Sequence, residues 1–187
     1  MKPSQVDYER ALAPLAAGQL VVIPTDTIYG VVCSARLPEA VERLYAARQR
    51  GPEAPCIILI GSSGQLASFG IEVSAAMQAQ LDIYWPGPTS IVLPSADPKW
   101  KYLRRGQYTL AFRLPNYPAL RSLLLAAGPL LAPSANPAGQ PPATTIDQAR
   151  RYFGGAVDTY IDGGTLDNSP SQLIALDPAG HTITLRP

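Results

Sequence analysis

Two short polar segments stand out in an otherwise apolar chain. Residues 24–30 read Pro-Thr-Asp-Thr-Ile-Tyr-Gly, and residues 133–136 read Pro-Ser-Ala-Asn. Each segment directly follows a run that is typical of a strand, residues 20–23 in the first case and 130–132 in the second. In an open α/β sheet, hydroxyl and amide groups at strand ends gather to hold a ligand. The two segments therefore predict a small-molecule site.

Arginines placed between these two segments indicate that the ligand carries phosphate. Arg48 and Arg50 end a helical pattern, and Arg113 ends a strand just before Leu114-Pro115. Guanidinium groups suit bidentate contacts to phosphate oxygens. From the residues alone, three other interpretations stay open. Arg48 and Arg50 could form a solvated helix end, Arg113 could pair at the surface, and the polar segments could only cap turns.

Several kinds of chemistry lack the residues that they need. The single histidine, His181, begins a hairpin strand where no neighbour would orient it for a catalytic triad. Neither a Walker loop nor a dinucleotide-binding glycine pattern occurs in the sequence. Cys33 and Cys56 have no second Cys or His nearby, which predicts buried, reduced thiols and not a zinc site. The fourteen carboxylates are scattered, so we expect any divalent cation to arrive with a phosphate ligand.

Composition places the chain among ordinary globular proteins. Its 187 residues are 47% hydrophobic and 16% charged, and we expect residues 1–187 to form a single domain. The net charge of +1 does not indicate a strong, sequence-independent grip on nucleic acid. The sequence contains neither a secretory leader nor a membrane-spanning run, which predicts a cytoplasmic protein without membrane contact.

Helices and strands must interleave to bring the polar groups together. The predicted helices are residues 4–17, 39–48, 73–84, 118–127 and 146–153, with Pro14 a weak point of the first. The predicted strands are residues 20–24, 30–34, 56–60, 90–93, 109–113, 130–132, 159–161, 173–176 and 181–185. Some strands follow one another without an intervening helix, which argues against a purely parallel sheet. The predicted fold is therefore α/β, a twisted mixed sheet of parallel and antiparallel strands with helices packed on it.

Six motifs occur in an order that resembles the YrdC/TsaC family, whose members are threonylcarbamoyl-AMP synthases. Besides the two polar segments, they are Arg48-Gln49-Arg50, Trp85-Pro86-Gly87-Pro88-Thr89, Arg113-Leu114-Pro115 and Asp162-Gly163-Gly164. The resemblance spans residues 11–186, and the shared order of six motifs makes it specific. It implies a YrdC-like twisted sheet around a concave, positively charged cavity. It does not include the additional C-terminal domain of some relatives.

The resemblance implies an adenylate-forming reaction. L-Threonine, bicarbonate and ATP would give threonylcarbamoyl-AMP and pyrophosphate, with Mg²⁺ accompanying ATP. The product would serve a separate enzyme in the N6-threonylcarbamoyladenosine modification of tRNA, so tRNA or tRNA-modifying proteins are the implied partners.

The resemblance also assigns roles to individual residues, carried over motif by motif. It assigns nucleotide contacts to Arg48, Arg50, Ser134, Asn136 and Arg186. It assigns contacts to threonine or its carbamate to Thr25, Arg113 and Ser171. The sequence neither demands nor shows a general base, and our hypothesis is that positioning and electrostatic stabilisation carry the expected reaction.

The chain departs from the family pattern at several positions. Arg48 replaces a lysine, which keeps the charge but changes its shape and hydration. Gly51 stands where proline is usual, and Leu59 stands where some relatives have a histidine that faces the substrate. The family's Ser-Thr-Val reads Ser171-Gln172-Leu173. Among these, Arg48 matters most for the expected ATP contact.

Two alternative functions remain open at this level. One is a carbamoyl-adenylate-forming domain like those inside larger hydrogenase-maturation proteins, although the acylphosphatase and zinc-finger modules of those proteins are not visible here. The other is a divergent paralogue acting as an RNA-binding module with a cationic concave face. The low net charge and the 7% aromatic content give that second alternative little support.

Overall fold

A single mixed sheet organises the protein. The computed structural model describes residues 3–51 and 53–187, and in these ranges nine strands lie in the order β7-β1-β2-β6-β3-β5-β4-β8-β9. The strands are β1 Val21–Ile23, β2 Gly30–Ser34, β3 Ile57–Leu59, β4 Thr89–Pro94, β5 Thr109–Arg113, β6 Leu130–Leu131, β7 Thr159–Tyr160, β8 Gln172–Leu176 and β9 Thr182–Arg186. All nine correspond to predicted strands within one or two residues at each end.

Parallel and antiparallel neighbours alternate irregularly across this sheet. The pairs β1–β7, β3–β5 and β4–β8 are parallel, and the other five pairs are antiparallel. Consecutive strands β1 and β2 pair directly, as do β8 and β9, since only short turns separate them. The prediction of a mixed α/β sheet is confirmed.

Seven α-helices surround the sheet in the described ranges: α1 Gln5–Glu9, α2 Leu12–Ala16, α3 Pro38–Arg48, α4 Ala75–Tyr84, α5 Lys101–Arg104, α6 Pro118–Ala127 and α7 Ile146–Phe153. Local sequence explains several of their starts. Pro38 and Pro118 occupy first turns, where a missing N–H costs nothing. The hydroxyls of Ser74 and Thr145 accept from backbone N–H groups of the first turns of α4 and α7. None of these helices has the length and apolarity needed to cross a bilayer.

The prediction of one continuous helix over residues 4–17 is wrong. The chain forms α1 and α2 instead, and they are separated by a turn at Arg10 and Ala11. The physical reason is Pro14, which has no N–H to donate to the Arg10 carbonyl and whose ring crowds that carbonyl. Pro14 is tolerated because a new helix begins at Leu12, which places the proline in its first turn.

Two short elements near the middle of the chain were not predicted. A 3₁₀ helix covers Ser63–Phe69, and α5 forms one turn over Lys101–Arg104. Neither has the length that hydrophobic periodicity needs to be recognised. Gly61 and Ser62 directly precede that 3₁₀ helix. The Gly61 N–H donates to Gln65 Oε1 over 2.7 Å.

The two faces of the sheet bury different helices. On one face, side chains such as Ile58, Phe112 and Ile174 pack with residues of α3 and α4. On the other face, Val21, Leu59 and other residues of β1, β2, β3 and β6 pack with α1, α2 and α6. Alternation along β5 sends Leu110 and Phe112 to the first face. Thr109, Ala111 and Arg113 therefore lie on the second face, in a part where a cavity is open.

Candidate active site

A single cavity gathers most of the residues that the sequence singled out. Its volume is about 330 Å³, within the lower range for small-molecule sites. Seven of the eight predicted site side chains line it: Thr25, Arg48, Arg50, Arg113, Ser134, Ser171 and Arg186. The eighth, Asn136, is buried directly behind this lining and contacts Arg48.

The sheet topology brings the two polar segments together. Strands β1 and β6 flank β2, and each is antiparallel to it, so both end at the same edge of the sheet. Past that edge, Val31 N donates to Pro133 O over 3.1 Å and Ala135 N donates to Tyr29 O over 2.9 Å. Gly30 also forms an isolated bridge with Ser134. Two segments about a hundred residues apart thereby form one wall of the cavity.

Arg48 fastens the end of α3 to the second polar segment. Its Nε donates to the backbone carbonyl of Asn136 over 2.8 Å. Its Nη2 donates to Asn136 Oδ1 and to Ser134 Oγ, each over 3.3 Å. Nη1 is buried without a hydrogen-bond partner. Burial lowers the pKa of the Arg48 guanidinium, which the nearby Cys56 partly offsets.

Two further arginines are held by backbone carbonyls alone. Arg50 donates from Nε to Ala54 O over 3.1 Å and from Nη2 to Pro55 O over 3.2 Å. Arg186 donates from Nη2 and Nε to Ser171 O over 2.7 and 3.2 Å. Because these acceptors are neutral, no carboxylate among these hydrogen-bond partners competes with an anionic ligand for either guanidinium.

Arg113 joins the first polar segment to β5. Its Nη1 donates to Thr27 Oγ1 over 3.0 Å, and its Nη2 donates to Thr25 Oγ1 over 3.2 Å. Asp26 Oδ1 lies 3.3 Å from the same Nη2, and both side chains are about nine-tenths buried. Burial lowers the pKa of Arg113, while the Asp26 carboxylate acts in the opposite direction. Asp26 also accepts from Asn116 N over 3.0 Å, so it both caps a turn and pairs with Arg113.

Tyr29 ties the first polar segment to the Asp162-Gly163-Gly164 motif. The Gly163 N–H donates to the Tyr29 hydroxyl over 2.7 Å, and this hydroxyl donates to Gly164 O over 2.8 Å. A β-carbon at Gly163 would lie 2.5 Å from Pro24 Cβ, so the backbone can approach this closely only at glycine. The motif therefore supports the wall that carries Thr25.

The cavity is rich in cationic groups and has no anionic lining. Four arginines line it, and no Asp or Glu does so in the part of the chain that the structure describes. The same residues include no cluster of three His, Cys, Asp or Glu side chains that could hold a metal ion. Carboxylates, which usually bind Mg²⁺ together with substrate phosphates, are not found among the described lining residues. The cavity suits an anionic ligand.

Several lining residues were not predicted from the sequence. Thr27 accepts from Arg113, and its position two residues after Thr25 was the available signal. Ile57, Val92 and Ala111 lie side by side on β3, β4 and β5 and form an apolar floor. The sequences of these strands are typical of buried strands, so no local signal marks the three residues as part of a cavity.

The sequence also drew attention to a leucine, the single histidine and the two cysteines, and the structure places each of them. Leu59, where the resemblance led us to expect a histidine in some relatives, is fully buried in the cluster that includes residues of α6. His181 is exposed and lies 2.9 Å from an Asp177 carboxylate oxygen, outside the cavity lining. Cys33 and Cys56 are buried free thiols, and Cys56 also lines the cavity.

Some known proteins resemble this chain in both amino-acid sequence and structure. A threonylcarbamoyl-AMP synthase of Marinobacter nauticus is 33% identical over 177 residues, which cover 92% of each chain. The structure of Pyrococcus abyssi Sua5 complexed with L-threonine superposes with a TM-score of 0.89 at 30% identity. That match covers all of this chain and 55% of the Sua5 chain, so the chain spans about half the length of that protein.

A third similarity concerns the fold only. Escherichia coli YciO superposes with a TM-score of 0.85 at 23% identity, and the match covers 99% of this chain and 90% of YciO. A family model for the Sua5, YciO and YrdC proteins, described as "Telomere recombination", matches residues 13–187. The chain therefore belongs to the Sua5/YciO/YrdC family.

Proposed function

We propose that this protein is a threonylcarbamoyl-AMP synthase, a nucleotidyltransferase that forms threonylcarbamoyl-adenylate and pyrophosphate from L-threonine, bicarbonate and ATP. One observation carries the proposal. The groups assigned to the nucleotide and the groups assigned to threonine line the same cavity. A reaction between two bound substrates requires this proximity.

The relatives support this choice among family activities. The Marinobacter nauticus protein bears the name threonylcarbamoyl-AMP synthase, and it matches over nearly its whole length. The Pyrococcus abyssi Sua5 structure contains L-threonine. Identity to both proteins is higher than the 23% identity to YciO.

The proposed chemistry needs oriented reactants and fixed positive charge. The threonine amine and bicarbonate give a carbamate and water. A carbamate oxygen then attacks the α-phosphorus of ATP, a new P–O bond forms, and the bond to the bridging oxygen of the β-phosphate breaks. Pyrophosphate leaves with the electron pair of that bond. Negative charge grows on the phosphate oxygens during this step, so preorganised cations stabilise the transition state.

The residues divide into two groups in this proposal. Arg48, Arg50 and Arg186 would contact the phosphates, and Ser134 would orient them while Asn136 holds Arg48 in place. Thr25, Arg113 and Ser171 would hold threonine or its carbamate in the same cavity, next to the phosphates, since Arg186 donates to the Ser171 carbonyl. No described lining residue is a carboxylate or histidine, in keeping with a reaction that uses positioning and electrostatics without a protein base.

Mg²⁺ belongs in this proposal to the substrate, since it would enter bound to ATP. The hydroxyl- and guanidinium-rich lining offers it no carboxylate ligand, so the phosphates would carry it. We further propose that the product passes to an enzyme that modifies tRNA, and that the protein acts in the cytoplasm, where both free thiols would stay reduced.

The decisive experiment supplies ATP, Mg²⁺, bicarbonate and L-threonine and identifies the adenylate by mass spectrometry. We expect a threonylcarbamoyl-AMP mass and equimolar pyrophosphate, both abolished when threonine is omitted. An adenylate that forms only from carbamoyl phosphate would instead favour the carbamoyl-adenylate activity. Salt-sensitive RNA binding without pyrophosphate release would favour an RNA-binding module. Normal turnover by the double variant Arg48→Ala, Arg50→Ala would contradict the proposed electrostatic roles.

A further inference from the structure

One backbone carbonyl connects the cavity to a buried tyrosine. Ala54 O accepts a hydrogen bond from the Tyr45 hydroxyl over 2.8 Å and another from Arg50 Nε over 3.1 Å. Arg50 lines the cavity, whereas Tyr45 does not. The direction of a cavity cation thus depends on a carbonyl that a second side chain holds in place.

Tyr45 is itself held rigidly. It lies on α3 with only 5% of its surface exposed, packed in the same core cluster as Val41 and Leu44. The Arg105 guanidinium lies 3.9 Å from the centre of its ring, within the range of a cation–π contact. Arg105 is in turn fixed by Glu42, whose Oε1 lies 2.7 Å from Nη2. The hydroxyl therefore has a defined position relative to α3.

Among residues 49–51 and 53–56, few other contacts anchor the segment that carries Ala54. Its internal backbone contact is Ala54 N to Gly51 O over 3.2 Å. Gln49 adopts the left-handed conformation at the end of α3, so the chain leaves the helix axis immediately before Arg50. Among the described residues of this segment, no strand or helix sets the direction of the Ala54 carbonyl. The Tyr45 hydroxyl, 2.8 Å from the Ala54 oxygen, provides the closest restraint, and the Cys56 thiol makes a longer contact of 3.9 Å with the same oxygen.

We propose that Tyr45 is a positioning residue that aims Arg50 into the cavity through the Ala54 carbonyl. This inference rests on the proposed function in one respect, namely that Arg50 contacts the phosphates of ATP. Without the hydroxyl, the carbonyl can rotate away and Arg50 loses a fixed acceptor for Nε. The charge stays in the cavity, but binding of a triphosphate then carries the entropic cost of ordering the Arg50 side chain.

The test compares Tyr45→Phe with Tyr102→Phe. Tyr102 is a matched control because its partly buried hydroxyl also donates to a backbone carbonyl, that of Ala35 over 2.7 Å, and it lies outside the cavity lining. We expect Tyr45→Phe to raise the KM for ATP about fivefold, the effect of losing one ordinary hydrogen bond, with a smaller change in kcat. Tyr102→Phe should leave the KM for ATP unchanged.

A double-variant cycle separates positioning from general destabilisation. In the Arg50→Ala background, Tyr45→Phe should have no further effect on the KM for ATP, because no guanidinium remains to be aimed. An equal KM for ATP in wild type and Tyr45→Phe would overturn the inference. So would a full additional loss in the Arg50→Ala background.

A readout that needs no catalysis distinguishes this inference from the proposed function. Amide hydrogen exchange across residues 53–57 should be faster in Tyr45→Phe than in wild type, and unchanged in Tyr102→Phe. If wild type forms no adenylate, the proposed function fails, and the inference is then judged by this exchange and by the affinity for ATP measured calorimetrically. Unchanged exchange in Tyr45→Phe would refute the restraint itself.

Discussion

Arg48 and Asn136 lie 88 residues apart in the chain and share two hydrogen bonds. Arg48 Nε donates to the Asn136 backbone carbonyl over 2.8 Å, and Nη2 donates to Oδ1 over 3.3 Å. The single guanidinium thus forms a planar bracket between α3 and the segment after β6, which the point charge of a lysine could not form in the same way. This relationship gives Arg48 a structural role in addition to its charge.

The bracket predicts a loss of stability when Arg48 is truncated. Arg48→Ala should lower the free energy of unfolding by about 3 kcal/mol, because buried acceptors on Asn136 lose a charged donor. Arg48→Lys should cost less, since an ammonium keeps the charge and can satisfy one acceptor at a time. Urea unfolding measures both. Arg43→Ala, which removes an exposed arginine of the same helix, is the control. If the urea midpoint of Arg48→Ala equals that of wild type, the guanidinium does not hold these two segments together.

The buried pair of Asp26 and Arg113 predicts a second sensitive position. Asp26→Asn keeps an oxygen for the Asn116 N–H but removes the countercharge of a buried guanidinium. Breaking one side of a buried ion pair typically costs about 3 kcal/mol of stability. Chemical denaturation should show this loss, whereas Asp158→Asn, at an exposed carboxylate, should show almost none. Equal stabilities of the two variants would mean that Thr25 and Thr27 alone satisfy Arg113.

The close approach of Gly163 to Pro24 predicts that a larger residue at position 163 destabilises the protein. A methyl group there would collide with Pro24, with Cβ atoms only 2.5 Å apart, so Gly163→Ala should destabilise the protein by about 1–3 kcal/mol. Gly155→Ala is the matched control, because its β-carbon would meet no atom within 4 Å. Thermal unfolding distinguishes the two. The prediction is wrong if the two alanine variants have the same melting temperature.

Tyr29 predicts a dependence of stability on alkaline pH. Burial raises the pKa of its hydroxyl to about 12, with Asp162 adding to the increase and the Gly163 N–H opposing it. The pKa of an unfolded tyrosine is about 10, so the folded state holds its proton more tightly. This contribution to stability is present in full below about pH 10 and is lost as the pH rises toward 12.

The measurement is the free energy of unfolding of wild type and Tyr29→Phe as a function of pH. The difference between the two proteins should shrink with rising pH across this window, since only wild type carries the Tyr29 proton. Tyr108→Phe, which removes the hydroxyl of an exposed tyrosine, controls for the loss of a titrating hydroxyl elsewhere. A difference that stays constant with pH would show that the Tyr29 proton is not linked to folding.

Ligand binding should stabilise the protein if the proposed function holds. A ligand present at a hundred times its Kd stabilises the folded state by about 2.7 kcal/mol. We expect ATP with Mg²⁺ to raise the melting temperature of wild type and to do so much less for Arg50→Ala at the same concentration. Added salt should weaken the effect, because the attraction is largely ionic. Absence of any shift for wild type would count against a nucleotide site in this cavity.

Local sequence determined the elements of this protein because their signals are local. Alternation marks β5, an apolar run marks β3, and prolines mark the starts of α3 and α6. The one incorrect helix, over residues 4–17, arose where two local signals conflicted. Periodicity favoured continuation and Pro14 opposed it, and the cost of an interior proline decided the outcome.

The motifs also pointed to the residues of the site, but only the tertiary structure decided how these residues act on one another. That Arg113 meets Thr25 and Thr27, that Asn136 works through Arg48, and that Tyr45 restrains Ala54 depend on strand order and on contacts of a few ångströms. Hydrogen bonds form only at short range and in favourable directions. A sequence states which groups are available, and the packing of distant segments sets which of them meet.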